Sequence, residues 1–326
     1  MESAVADFVR WVQEHAPAGT MLAFEYNVRG FIALLFISVM CGAIGSLVVG
    51  SRMAFFSDAL AHTAFAGIAL GILIAYLRNL SGEDLYSWVK PVMIAVGLFV
   101  GLAIVFVRER TGQSSDTIIG VFFAGSIGIG AIMLKVANAK FYFPSHDFLF
   151  GNLVTVNAVD LLELAALLII TLAFLGWAYN GLVFATFNTS LARSRRVPFR
   201  LYQYLFVALL AVIVNVCLSA VGALLINALL VVPAATAANA CHNLRQMFRW
   251  SVGLCLMCCL AGQWLNWEIH IPIGVNQRGQ SVSTPMGEGG TIVVLSVVLF
   301  FVSMALGPWL KSTPHAPRED IAPRSA

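Results

Sequence analysis

The stretch GFIALLFISVMCGAIGSLVVGS, from Gly30 to Ser51, contains no Asp, Glu, Lys or Arg. A helix needs about 20 predominantly apolar residues to cross the hydrocarbon core of a bilayer. This run meets that length, and others like it follow. Ala59 to Leu77, Pro91 to Val107, Thr117 to Leu134, Leu164 to Ala192, Trp250 to Trp267 and Gly289 to Leu310 are also uncharged, and Leu201 to Leu244 is long enough for two crossings. Tilt and snorkelling end residues accommodate the shorter runs. Solid apolar blocks, rather than alternating ones, exclude a transmembrane β-barrel. The runs predict an all-α, polytopic membrane protein with about eight or nine spans. The expected spans lie at about 30–50, 58–77, 90–107, 117–136, 158–178, 201–220, 221–238, 250–267 and 291–310.

Composition agrees. Of 326 residues, 60% are hydrophobic and 11% charged, whereas a soluble domain carries about 25% charged residues. Mean hydropathy is +0.87. A soluble enzyme and a disordered chain are excluded. With a net charge of +3 and no long run of Lys and Arg, so is a nucleic-acid-binding domain. Residues 1–29 form a mixed lead-in in which Val5, Phe8, Val9 and Val12 have the spacing of an interfacial amphipathic helix. Residues 30–310 are the membrane domain, and 311–326, with Pro314, Pro317 and Pro323, read as a loose tail. The acidic Glu2 and Asp7 do not fit the basic start of a cleaved signal peptide.

With nine spans and the C-terminus inside, Lys and Arg divide twelve to the cytoplasmic side and seven outside, the sense the positive-inside rule requires. Arg193, Arg195, Arg196 and Arg200 mark the cytoplasmic side most strongly. An eight-span reading would move the N-terminus. Gly67/Gly71 and Gly97/Gly101 are GxxxG pairs, and Gly125, Gly128 and Gly130 line another span; such residues let helix backbones approach closely within one chain. Cys41, Cys217, Cys255, Cys258 and Cys259 lie in apolar runs and Cys241 beside a polar hinge, so they read as inert buried thiols.

The chain has no GxxxxGK[ST] and no HExxH, and therefore neither a P-loop nor that zinc-protease motif. Gly125–Ser126 could suggest an intramembrane nucleophile, but no histidine has a pairing logic with it. Asp58 and His62 are different. Four residues apart, they share one helix face, and ionisable groups at the edge of a span point to function. A carboxylate oxygen and an imidazole nitrogen together suit a divalent transition metal. The plain alternative is that Ser57 or Asp58 caps a helix N-terminus while His62 only packs.

Around that pair, Arg52-Met-Ala-Phe-Phe-Ser-Asp-Ala-Leu-Ala-His62 resembles the signature of the ABC-3 family, the membrane permeases of bacterial zinc, manganese and iron importers. It keeps that pattern's Arg, Met, Asp and His, with Ser51, Ser57 and Ala61 as departures. Four more segments are similar to the family's in order. Ser115-Asp-Thr-Ile-Ile-Gly has Ser115 where Glu is usual, and Phe148-Leu-Phe-Gly-Asn-Leu has Asn152 where Asp is usual. Val221-Gly-Ala-Leu-Leu-Ile-Asn-Ala-Leu-Leu-Val-Val-Pro-Ala-Ala-Thr-Ala resembles its counterpart closely, and Thr284-Pro-Met-Gly-Glu-Gly-Gly-Thr-Ile-Val-Val also resembles the family's segment. Together they span about 30 to 310.

The resemblance implies a transport subunit rather than an enzyme. A second permease subunit, most simply an identical copy, would complete the pathway. A cytoplasmic ATPase dimer on a separate chain would drive it, and an extracytoplasmic binding protein would deliver the ion. No cofactor is held permanently; Zn²⁺, or Mn²⁺, is the transported substrate. The metal pathway carries over to Asp58 and His62. The segment at about 184–198 resembles the family's ATPase-coupling segment, with Phe187, Asn188 (where Asp is usual), Leu191, Ala192 and Arg193 as its contacts; a basic loop that only sets topology is the alternative. Zinc is the first expectation, then manganese and iron. An ion-coupled secondary carrier and an intramembrane hydrolase are the competing readings.

Weaker candidates complete the sequence. Asn227 and Pro233 could mark unwound backbone beside the pathway, although proline more simply kinks a helix. His146, Asp147 and His270 fall in expected outer loops, His242 near the cytoplasmic face, and Glu163 near the start of a span, where it could snorkel. The resulting expectation is a multi-pass protein of the bacterial inner membrane.

Overall fold

A computed structural model describes residues 2–17, 20–78, 83–138, 153, 156–187, 198–241, 243–275 and 281–311. The helices are α1 (Glu2–His15), α2 (Glu25–Gly50), α3 (Ala54–Leu77), α4 (Glu83–Thr111), α5 (Ser115–Asn138), α6 (Ala158–Phe187), α7 (Phe199–Val221), α8 (Ala223–Ala240), α9 (Leu244–Glu268) and α10 (Glu288–Lys311). Among the described residues, nine of them, α2 to α10, are long and apolar enough to cross a membrane. Every uncharged run became one such helix, and Leu201 to Leu244 became two.

Burial distinguishes the centre of the bundle from its outer ring. Within the hydrophobic windows, 72% of α2 and 67% of α3 is buried, against 22% of α5 and 17% of α10. Helix α2 packs against α6, α8 and α9, while α3 packs against α4, α5 and α7. The core joins Leu34, Ile37 and Ile44 of α2 to Phe56 and Leu60 of α3 and Leu210 and Ile213 of α7.

Small residues make α2 central. A Cβ on Gly45 would lie 2.2 Å from the Leu230 carbonyl oxygen of α8, and one on Gly42 would lie 2.6 Å from the Val252 Cα of α9. The backbones touch, so no side chain can rotate away. We expect Gly45→Ala to destabilise the purified protein by about 1–3 kcal/mol in thermal unfolding. Gly128→Ala, with nothing within 4 Å of the added carbon, should not. The paired glycines Gly67 and Gly71 similarly admit Met93 and Val89 of α4, and Gly97 and Gly101 admit Asn215 and Ala211 of α7.

Three features differ from the sequence reading. The outer segment read as a loop contains an antiparallel hairpin, β1 (His270–Val275) with β2 (Ser281–Pro285), in which His270 pairs with Pro285. Its alternating β-branched residues favour strands. Pro233 does not unwind its span: α8 is continuous through it. Proline leaves the carbonyl four residues earlier without its helical donor, and the Cys255 thiol of α9 lies 3.7 Å from that carbonyl, Leu229 O. The break lies at Gly222 instead, whose φ of 83° is costly for residues with a Cβ. Val221 and Ala223 on either side are buried, so this single-residue joint between α7 and α8 is enclosed by protein, as irregular backbone in a membrane must be. Third, Glu163 does not snorkel alone. Lys90 of α4 pairs with it and, at 3.0 Å, with Asp160.

At the N-terminus, α1 turns Val9 inward while Phe8 and Trp11 stay exposed.

Candidate metal pathway

The corner between α2 and α3 sets the site. Met53 N–H donates to Val48 O and Arg52 N–H to Val49 O, the paired bonds of a Schellman ending. The left-handed residue is Arg52, at φ 56°, where glycine is usual. Helix α3 therefore starts at Ala54, and Asp58 lies within it rather than at its cap. Ser57 donates back to Ala54 O at 3.2 Å. The capping alternative for Ser57 and Asp58 is thereby removed.

Asp58 Oδ1 instead accepts a 2.7 Å hydrogen bond from Asn227 Nδ2 of α8, 169 residues away. His62 Nε2 lies 3.8 Å from the same oxygen, too long for a hydrogen bond but close enough for charge to be felt. The edge of the His62 ring meets Phe123 of α5, with centroids 4.8 Å apart. The Asp58 and His62 side chains are 42% and 32% exposed. They line an open face rather than a sealed core, so an ion can reach them. Because a carboxylate only accepts, Asn227 must turn its nitrogen to Asp58. Its Oδ1 is then buried without a hydrogen-bond partner. Such an acceptor costs about 1–3 kcal/mol if nothing fills it.

Spans α3 and α8 thus bring together a carboxylate and an imidazole, with a carboxamide N–H holding the carboxylate. Carboxylate and imidazole suit a borderline divalent cation. Among the described residues no group of three or more His, Cys, Asp or Glu could hold a metal ion. One chain therefore offers a partial ligand set, which suits release as much as capture.

The other candidates separate. Pro233 is buried in α8. Phe187 ends α6, while Asn188, Leu191, Ala192 and Arg193 lie outside the described residues, as do His146, Asp147 and His242. His270 begins β1. Ser115 accepts a hydrogen bond from Arg108 at 3.1 Å, so a hydroxyl serves at this corner where the resembled pattern has a carboxylate. Ser126, weighed as a nucleophile, is buried and hydrogen-bonded to Thr63 at 3.0 Å, an ordinary link between α3 and α5. None of the six cysteines is in a disulfide, and all but the half-buried Cys241 are buried. Asn227 was noticed for the wrong reason: its value lies in its partner, not in any break it makes.

Comparison with known proteins gives a consistent set. The profile of the ABC 3 transport family matches residues 23–307. The chain is 25% identical over 293 residues to the manganese import system permease protein ScaB of Streptococcus parasanguinis, covering 90% of this chain and 95% of that one. It is 24% identical over 281 residues to the high-affinity zinc uptake system membrane protein ZnuB of Haemophilus influenzae, covering 86% and 97%. In fold it is similar to a chain of PsaBC from Streptococcus pneumoniae in complex with Fab, with a TM-score of 0.67, 22% identity, and 92% and 95% of the two chains covered.

Proposed function

The chain belongs to the ABC 3 transport family, and from that premise we propose that it is the permease subunit of an ATP-binding-cassette importer carrying a divalent metal cation inward. Zinc is our first choice of cargo and manganese the second; permeases of both kinds are among the relatives. The observation that carries the reading is the Asp58–Asn227 hydrogen bond with His62 beside it. It supports a half-open oxygen and nitrogen site shared by two membrane helices.

The ion would be received from an extracytoplasmic binding protein and held briefly by Asp58 and His62, with Asn227 fixing the carboxylate. Two permease copies would each contribute an Asp58 and a His62, together the four ligands that zinc takes. Manganese would draw further oxygens. A separate ATPase dimer would engage the segment around 184–198, with Phe187, Asn188, Leu191, Ala192 and Arg193 as contacts, and drive the exchange between outward and inward access. In this arrangement residues 30–310 are the transport domain, the C-terminus is cytoplasmic and the assembly lies in the bacterial inner membrane.

The test is radioactive metal uptake in cells expressing the chain with its ATPase and binding protein. Zinc and manganese are offered separately, with and without an ATPase-inactive partner. We expect uptake that stops with the inactive ATPase and favours zinc. Uptake that continues without ATP hydrolysis would establish a secondary carrier instead.

A further inference from the structure

At the end of α9 that bears Arg245 and Arg249, positive charge accumulates without compensation. The first turn of this helix has no acidic residue and its N-cap Asn243 makes no side-chain cap hydrogen bond. A helix N-terminus already carries partial positive charge and favours anions. Two arginines placed there add to it. Both are exposed, and neither has an ion pair or hydrogen bond among the described residues. Four residues apart, they lie on one face of α9.

Beside them is a cleft of about 1100 Å³ lined by Arg245, Arg249, Trp250, Leu254, Met257 and Tyr179. It adjoins a second cavity, of about 620 Å³, whose wall is Leu172, Leu175 and Gly176 of α6. Tyr179 and Phe248 meet edge to face at 5.8 Å between the two. The cleft is thus graded: guanidinium groups at the helix end, then Tyr and Trp, then aliphatic side chains running along the membrane spans. Tyr and Trp belong at the headgroup level of a bilayer. A free phosphate would use only the charged end. An amphiphile uses all of it.

We propose that this groove between α6 and α9 is a binding site for one anionic glycerophospholipid. Its phosphate lies against Arg245 and Arg249, and an acyl chain runs along Leu172, Gly176 and Met257. Basic pockets between spans on the cytoplasmic side hold acidic headgroups by this chemistry. Placing the site in the cytoplasmic leaflet rests on the orientation given under Proposed function. Lipid binding itself does not depend on which metal is carried, or on whether any is.

The experiment is native mass spectrometry of the full-length, detergent-purified protein. It is titrated with phosphatidylglycerol or with phosphatidylcholine of the same acyl chains. Wild type should retain phosphatidylglycerol preferentially, and Arg245→Gln/Arg249→Gln should lower its occupancy about tenfold without changing phosphatidylcholine. Arg110→Gln, an exposed cation elsewhere, should have no effect. Gly176→Leu probes the apolar wall. A Cβ there meets nothing within 4 Å, so the side chain enters the groove without disturbing the fold, and binding should fall although both arginines remain. Equal retention of the two lipids, full retention by either groove variant, or displacement by millimolar inorganic phosphate would each overturn the proposal. So would loss of ATPase co-purification in the double arginine variant with lipid retention unchanged, which would make the groove a protein interface.

Discussion

Asp58→Ala/His62→Ala permease, assembled with its ATPase and binding protein, is expected to import metal at no more than about a hundredth of the wild-type rate. Loss of a residue that merely orients a ligand typically costs 10–100-fold, and here both ionisable ligands go. Folding should survive. The Asp58 and His62 side chains are 42% and 32% exposed, and each truncation removes contacts at an open face. Membrane abundance and ATPase co-purification should therefore match wild type, which separates a transport defect from an assembly defect. Each single substitution should fall between, because one ionisable ligand remains. Full-rate import by the double variant would remove these residues from the pathway.

Asn227→Leu is expected to reduce uptake at limiting metal by about 10–100-fold, with partial recovery at saturating metal. Leucine keeps the volume and the helix but removes both functions of the amide. Asp58 loses its 2.7 Å donor and turns freely, and the buried Oδ1 acceptor disappears. The signature of a positioning role is a rise in the metal concentration needed for half-maximal uptake with little change in the maximal rate. Protein stability should hold or rise, since an unpaired buried oxygen is replaced by an apolar group. Unchanged uptake together with higher stability would make Asn227 a packing residue only.

How much of this was readable beforehand depended on the range of the interaction. The spans were legible because each crossing must be nearly charge-free over its length, and that is a local property. The Asp58 and His62 pair was legible because four residues on a helix is also local. Their link to Asn227 was not, because it closes across 169 residues and nothing in Ile226-Asn-Ala228 names a partner. Lys90 with Asp160 and Glu163 escaped for the same reason: each looked like an end residue of its own span. The turn at Gly222 falls within two residues of the boundary expected between 201–220 and 221–238, set by span length alone, because Val221-Gly-Ala223 is apolar throughout and no polar residue marks it. The β1–β2 hairpin was missed because its strands are short and lie between two charge-free spans that dominated the reading of that region.

The contact between Cys255 and the Leu229 carbonyl has a practical consequence for spectroscopy. Studies of moving transporters often begin by stripping native thiols so that probes can be attached at chosen sites. Cys41, Cys217 and Cys258 fill buried apolar positions, and alanine or valine can stand in for them. Cys255 also supplies the hydrogen that Pro233 withholds from Leu229. In a cysteine-free background this position calls for serine, whose hydroxyl keeps a donor aimed at that oxygen. Alanine would leave the carbonyl bare in the middle of a membrane helix, about half a turn from Asn227, and labels placed afterwards would report on a helix already altered.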